Sequence, residues 1–463
     1  MGVIVRPAKE IRTRDYDVVV CGGGTGGVFA ALAAARNGAK TAVVEYKGYV
    51  GGIAAEGGCG LHSFYNLWKP FGVEKKKIVR GIPEEFIDRL TAMGGASGHN
   101  DTVMRPEYDS DTLCVDVELY KFLANQMLRE AGVDVLLDTY VADAISTDGH
   151  IEAVITESHE GCEALRAKVF IDATGYGDLC ARAGAPYTEP ADYAVANSMG
   201  IAGIDIDKYF RFLKENGALK EYAYGPRDGV NGKLIRVDGD WGRLSPEIAK
   251  RQRELGMHTV TTTVHDNYFM FIKLNYMMPT SPTKRDALAD AEFELRRRQQ
   301  EALKLLKSVI PGSEGAFITR TAPAVTIRRA RCITCEYDIP NQEILDATHY
   351  PDDVFTYGFH DFAPRFTVKN GGTYGIPYRA IIPQKMENLF AIGMMITSDH
   401  NAHMSTRNTV SCMGQGQAAG TAAALCAAKG LSNVRDLPYN ELRSRLEEGN
   451  VWFEPDPISF KNV

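Results

Sequence analysis

The chain has 463 residues, of which 44% are hydrophobic, 24% charged and 9% aromatic, a composition that speaks for two or three globular domains and against disorder or collagen-like repeats. Acidic residues (59) outnumber basic ones (52), and the net charge of -7 gives no electrostatic reason to expect nucleic acid as a partner. No apolar run reaches membrane-spanning length, the opening residues lack a secretory apolar core, Arg6 breaks the myristoylation pattern and the nine cysteines show no paired framework; a cytoplasmic protein with no membrane partner is the expectation.

Residues Tyr16 to Glu45 carry the first strong signal. Val18-Val19-Val20-Cys21 reads as a buried parallel strand. The glycine loop Gly22-Gly23-Gly24-Thr25-Gly26-Gly27 follows, then an Ala-rich helix from Val28 to Asn37 closed by Gly38. A second strand, Thr41 to Val44, ends at Glu45. Gly22 permits the tight turn out of the strand, Gly24 lets bare backbone approach a diphosphate, and Gly27 lets the helix lie close to the sheet. Free N–H groups and a partial positive charge at the helix start attract phosphate, and Glu45 can accept hydrogen bonds from a ribose diol. The order strand, loop, helix, strand and acid predicts a dinucleotide site.

Gly51-Gly52 occupies the next loop, and the loop-rich stretch Trp68 to Glu107 reads as an insertion contributing to a lid, made mobile in part by Gly94, Gly95 and Gly98. Lys75-Lys76-Lys77 and Arg296-Arg297-Arg298 read as solvated faces. Strand-like blocks recur at Val133–Val141 and Val169–Ile171, the latter running into Asp172-Ala173-Thr174-Gly175-Tyr176-Gly177-Asp178. A long helical pattern covers Lys284 to Val309 and stops at Pro311-Gly312, and Ala316 to Tyr337 reads as strands. The CxxC at Cys332 and Cys335 falls in that run and reads as structural, with no partner pair at zinc spacing and no metal expected. Tyr374-Gly375-Ile376-Pro377-Tyr378-Arg379 is a rigid turn, Asn388 to Gly393 a strand entering a glycine, and Gly414 to Ala424 a helix of small residues. Neither an internal repeat nor a second glycine-rich fingerprint for a nicotinamide domain is present.

Together these blocks make the sequence resemble the FAD-dependent oxidoreductases related to the fumarate reductase and succinate dehydrogenase flavoprotein group. The resemblance implies an α/β fold. Its Rossmann-type, glutathione-reductase-like FAD-binding domain would be discontinuous over residues 1–190 and 355–463, with an α+β substrate or cap domain inserted over 191–354. FAD contacts are expected from Gly22, Gly24, Thr25, Gly26, Gly27, Glu45 and Gly52, from Val141 near adenine, from Ala173, Gly175 and Asp178, and from Gly393, Gly414, Gln415 and Gln417. The start of the final helix, near Met413 to Gly416, would aim its positive end at the flavin N1–C2=O edge and stabilise the reduced anion. Tyr176 departs from the acidic residue that the family often carries at that position.

Flavin chemistry asks the protein to move one proton and hold developing charge. In the resembling family the segment Thr397 to Arg407 carries a His and an Arg, which match His400 and Arg407. His400 is expected as proton carrier, Arg407 as anion binder and His403 as a second candidate. Arg328 and Arg331 would approach from the inserted domain, with Tyr374, Arg379 and His62 as further lining candidates and His360-Asp361 as an acid–base pair. The expected reaction moves a hydride between a small polar substrate, a hydroxyl-bearing sugar or hydroxy acid, and flavin N5. The alternative is reduction of an activated C=C bond, in which Arg407 or Arg331 supplies the proton. From other classes, a non-catalytic or RNA-modifying flavoprotein stays open. The partners implied are a small-molecule substrate and an unidentified electron donor or acceptor, and a homo-oligomer is compatible with all of this.

Overall fold

A computed structural model describes residues 10–57, 61, 63–66, 72–103, 111–358 and 367–462. The first half contributes β1 (Arg12–Cys21), α1 (Thr25–Arg36), β2 (Thr41–Val44), α2 (Gly52–Gly57), α3 (Ile82–Ala92), α4 (Val117–Glu130), β3 (Asp134–Leu136), β4 (Tyr140–Thr147), β5 (His150–Ser158), β6 (Gly161–Asp172) and α5 (Asp178–Ala183). Strands β3, β2, β1 and β6 lie side by side and parallel. β6 is long enough to pair twice on its other edge: its first half runs antiparallel to β5, and its last residues run parallel to a strand near the C-terminus. The apolar run Val18 to Cys21 is fully buried because the sheet is covered on both faces, which is why it reads as continuous rather than alternating.

The middle of the chain builds a separate core. It contains β7 (Ala194–Ala202), the hairpin β8 (Leu219–Arg227) and β9 (Val230–Gly239), β10 (Tyr268–Met277), α6 (Arg285–Val309) and β11 (Phe317–Thr321). β7 lies between β10 and β11, antiparallel to both. Ala291, Leu295, Ala302 and Leu306 put the buried stripe of α6 into this core, and Gln299 Nε2 donates to the buried Asn197 Oδ1 at 2.8 Å. The buried apolar residues of this core run from Val195 to Ala330, whereas Ile333, Cys335, Ile339 and Val354 pack with the first core. The stretch expected as strands is regular only at Phe317–Thr321 and Cys332–Ile333, because Pro323 has no N–H to extend a ladder.

The chain then returns to the first sheet through β12 (Asp353–Tyr357), β13 (Tyr374–Pro377) and β14 (Leu389–Ala391), followed by α7 (His400–Thr406) and the long α8 (Thr409–Lys429). β14 is the strand that pairs with the end of β6. α8 crosses α1 so closely that a Cβ on Gly416 would lie 2.2 Å from Gly26 O, and one on Gly420 2.1 Å from Ala30 O.

Packing bears on several other expectations. Within the described part of the supposed lid, α3 sits beneath the sheet helices, with Phe86 against Phe29 (5.5 Å between ring centres) and Tyr120 (4.6 Å). Lys75, Lys76 and Lys77 each meet a carboxylate, as do Arg296, Arg297 and Arg298. Cys332 and Cys335 are both buried and free, and Arg329 Nε donates to Cys332 Sγ at 3.1 Å. Among the described residues, no His, Cys, Asp and Glu cluster would hold a metal, and no helix is long and apolar enough to cross a membrane.

One imidazole ties the two cores together. His265 Nε2 lies 2.8 Å from Asp116, the N-cap of α4, and Nδ1 lies 3.0 Å from Asp228 in the β8–β9 turn. The hydrogen bond to Asp116, then that to Asp228, outweigh burial and raise its pKa from 6.5 to about 9. The folded state therefore binds the extra proton: this stabilisation is complete below pH 6.5 and is lost as pH rises through about 9. The thermal midpoint should fall across that window, and His265→Asn should flatten the fall; an unchanged pH dependence in the variant contradicts the bridge.

Candidate active site

A cavity of about 740 Å³ lies where the carboxyl ends of β1, β2 and β6 meet the second core, a size typical of ligand sites. Its floor is backbone. Gly22 holds φ +102°, and a Cβ there would lie 2.4 Å from Ala173 O. A Cβ on Gly27 would lie 1.8 Å from Gly22 O. Gly24 is different: its Cβ position has no neighbour nearer than Ala173 O at 3.9 Å, so the space beside it belongs to the cavity. Gly24 also N-caps α1 without a side-chain hydrogen bond, which leaves first-turn N–H groups for an anion. Thr25 and Gly26 line the same floor, with Thr25 Oγ1 donating to Gly51 O at 3.1 Å, and Gly52 completes it at φ +51°.

Glu45 lines the cavity almost fully buried. Oε2 accepts from Gly23 N (2.8 Å) and Oε1 from Lys47 N (3.0 Å), while burial raises its pKa. A carboxylate accepts about four hydrogen bonds, so capacity for a ribose diol remains. Thr139, Tyr140 and Val141 form the next stretch of wall, then Ala173, Thr174, Gly175, Tyr176 and Asp178. The buried Asp172 shapes that turn: Oδ1 accepts from Thr174 N (3.0 Å) and Oγ1 (2.7 Å), and Oδ2 accepts from Cys180 N (2.8 Å). Asp178 accepts from Arg331 Nη1 (2.9 Å) and pairs with Arg182 (3.2 Å), so Arg331 borders the cavity as a paired cation.

Beside that floor the wall continues through Ile392, Gly393, Met394, Arg407, Thr409 and Cys412, and a Cβ on Gly26 would lie 3.3 Å from Cys412 O. α8 starts at Thr409, earlier than the sequence suggested, and its capping residue Asn408 accepts from Val410 N (3.2 Å) and Tyr357 OH (2.8 Å). The positive helix end therefore meets the cavity together with the Arg407 guanidinium. Arg407 lies 5.4 Å over the Tyr193 ring, its buried Nε has no hydrogen-bond partner, and no carboxylate of the described residues pairs with it. Burial pushes the Cys412 thiol up to about 12, so it stays protonated.

Several expected site residues lie elsewhere. Gly414 is packed against Phe355, since a Cβ would approach that ring to 2.2 Å. Gln415 Oε1 accepts from Gly393 N (2.8 Å) and Gln417 Oε1 from Ile82 N (2.9 Å); both amides serve backbone groups and neither lines the cavity itself. His400 is half-exposed, stacked on Tyr193 at 4.4 Å and bound to Asp192 at 2.8 Å, and it does not line the cavity. His403 is fully buried with Nε2 2.8 Å from Met394 O, and burial, then the charge of Arg407, drive its pKa well below the ordinary range. It is neutral and positions Met394. Tyr374 is buried on Ser405 Oγ (2.6 Å), Arg379 binds Asp352 (2.9 Å), and Arg328 reaches Asn275 (3.5 Å); none of the three reaches the cavity. His62, His360 and Asp361 lie outside the described residues.

The sequence reading missed Tyr46, the buried Lys47–Glu56 ion pair, and the whole upper wall of Thr283, Leu288, Ala289, Glu292 and Pro323–Ile327. Leu288 and Ala289 sit one turn before Glu292 on α6, a spacing visible in sequence without any sign of which way that face points.

These features define a dinucleotide-binding redox fold. The family model for FAD dependent oxidoreductases matches residues 17–446, and the chain belongs to that family. It is an oxidoreductase, and FAD is its cofactor. Among curated relatives, a digeranylgeranylglycerophospholipid reductase of Methanospirillum hungatei is 27% identical over 205 residues, covering 42% of this chain and 48% of that protein. A dihydrolipoyl dehydrogenase of Acholeplasma laidlawii is 41% identical over 71 residues, covering 15% of this chain and 21% of that protein. The matched stretches thus span about half or less of these relatives. Among solved structures, a geranylgeranyl bacteriochlorophyll reductase-like protein of Thermoplasma acidophilum aligns with TM-score 0.48 and 13% identity over 94% of this chain and 84% of its own.

The cradle fits FAD because the diphosphate requires bare backbone where Gly24 supplies it and donors where α1 begins. Gly24→Val should fold normally yet purify without flavin, since its side chain enters empty space. Gly27→Val should fail to fold. Yellow Gly24→Val protein contradicts this assignment.

Proposed function

We propose that this enzyme moves a hydride between a small carboxylate-bearing substrate, of the hydroxy-acid class, and flavin N5. The single observation that carries the reading is Arg407, a cavity guanidinium with a buried, unpartnered Nε and no carboxylate partner among the described residues. A planar fork in that state suits a substrate carboxylate, and it favours an acid over a neutral sugar. Bound flavin supplies the hydride acceptor. The hydroxyl proton must leave as the C=O bond forms, and Glu292 is placed to receive it. It lines the cavity from α6, Oε1 is held by Arg296 Nε at 2.6 Å, and the buried Oε2 has no partner. The relatives named above are not sugar or hydroxy-acid dehydrogenases, so the substrate class rests on the cavity alone.

A second reading is reduction of an activated C=C bond in an unsaturated acid. In it Arg407 or Arg331, both on the cavity wall, would supply the proton, with no histidine on that wall among the described residues. The link to fumarate reductase and succinate dehydrogenase flavoproteins belongs to this reading. We further propose a glutathione-reductase-like arrangement with the core built from Val195 to Ala330 acting as the cap over the flavin; the parallel strands β3–β2–β1–β6 beside antiparallel β5 and β4 support it.

Anaerobic bleaching of the flavin should occur with hydroxy acids and not with polyols. Arg407→Met should slow it about 100-fold, the loss of roughly 3 kcal/mol from a charge-assisted pair. His400→Ala should leave it within about twofold, as expected of a half-exposed side chain that does not line the cavity. Bleaching of Arg407→Met at the normal rate overturns the reading. Reoxidation of the reduced flavin by unsaturated acids, without bleaching by hydroxy acids, selects the second one.

A further inference from the structure

The second core carries an open cavity of its own, about 340 Å³, which shares no lining residue with the cofactor cavity. Lys220, Asp238, Arg253, His258, Thr259 and Asn275 are among its walls. The hydrogen bonds around it have one direction. Arg328 can only donate, and its Nη2 meets Asn275 Oδ1 at 3.5 Å. That turns the Asn275 amide so that Nδ2 donates to His258 Nε2 at 2.8 Å. His258 then carries its proton on Nδ1, and Nδ1–H has no hydrogen-bond partner among the described residues. Burial, followed by the charges of Lys273, Arg328 and Lys220, holds the His258 pKa at about 3, so the ring is a neutral donor throughout the physiological range.

The charge around this donor is positive. The one carboxylate of the wall, Asp238, is neutralised by Lys220 at 2.8 Å and also accepts from Thr259 Oγ1. Arg253 has no carboxylate partner among the described residues. It lies in the last turn of the helix Pro246–Glu254, where Leu255 N donates to Arg251 O and Gly256 N to Arg253 O. Neither His258 nor Arg253 is a buried orphan, so an anion would replace water at a neutral N–H donor beside a cation that lacks a carboxylate partner among the described residues.

We propose that this second cavity is a binding site for a small oxyanion, a carboxylate or a phosphate, received by His258 Nδ1–H and the Arg253 guanidinium. Arg328, on the way from the cofactor-cavity residues Thr326 and Ile327, fixes the donor through Asn275. The site is independent of the substrate assignment made above.

Calorimetric titration of the FAD-loaded protein with inorganic phosphate and, separately, with acetate tests it and tells the two sources apart. One of the two anions should bind saturably. Its affinity should fall about tenfold in Arg253→Ala and in His258→Phe, the loss expected for one charge-assisted hydrogen bond, and should be unchanged in Arg407→Met. Arg253 is exposed, so its variant decides the matter if His258→Phe does not fold. Absence of saturable binding for both anions, equal affinity in Arg253→Ala, or loss of binding in Arg407→Met instead, overturns the proposal.

Discussion

The contact on which this structure depends is the near-touch of α1 and α8, made possible by glycine. Gly416 and Gly420 let α8 reach the Gly26 and Ala30 carbonyls, and Gly27 lets α1 reach the Gly22 carbonyl. A methyl group at any of these positions would separate backbone from backbone by more than an ångström of relaxation can absorb. Because the contact is between main chains, it fixes the relative position of two helix starts. The two starts lie side by side on the cavity wall: a Cβ on Gly26, the second residue of α1, would lie 3.3 Å from Cys412 O in the first turn of α8. Two positive helix ends side by side suit an anionic cofactor.

The second core completes the cavity without sharing the first core's packing. Its contribution is a wall from α6 and the irregular Pro323–Ile327 segment, both held by bonds internal to that core such as Gln299 to Asn197. The two cores meet through polar contacts as well as apolar ones. His265 bridges two carboxylates, Arg331 reaches Asp178, and Arg320 donates to the Glu56 carbonyl. Charged side chains that border the cavity are mostly paired this way, which makes the absence of a carboxylate partner for Arg407 among the described residues informative.

The cofactor half of the site was legible in sequence because glycine there has a physical meaning that no other residue shares. Gly22, Gly24 and Gly27 each stand where a side chain would collide or fill the cradle, and a short-range pattern suffices to find them. The catalytic half was not legible for the opposite reason. His400 and Arg407 lie on one short segment, and only the path of that segment decides which faces inward. The chain enters α7 with His400 at its exposed first turn and leaves it with Arg407 at the cavity. The small-residue helix was correctly found, but its start was placed at the glycines; in fact these pack against α1, and Asn408 caps the helix earlier. Gln415 and Gln417 looked like ligand-binding amides because sequence does not show the backbone groups of Gly393 and Ile82 that occupy them.

The central claim is that main-chain donors at the start of α1 hold a diphosphate. Spectrophotometric titration of flavin-free protein with FAD and with riboflavin, which has the same ring but no phosphate, tests it most directly. The account predicts that FAD binds at one per chain and restores a protein-bound flavin spectrum, while riboflavin binds far more weakly. Equal binding of riboflavin and FAD would contradict it.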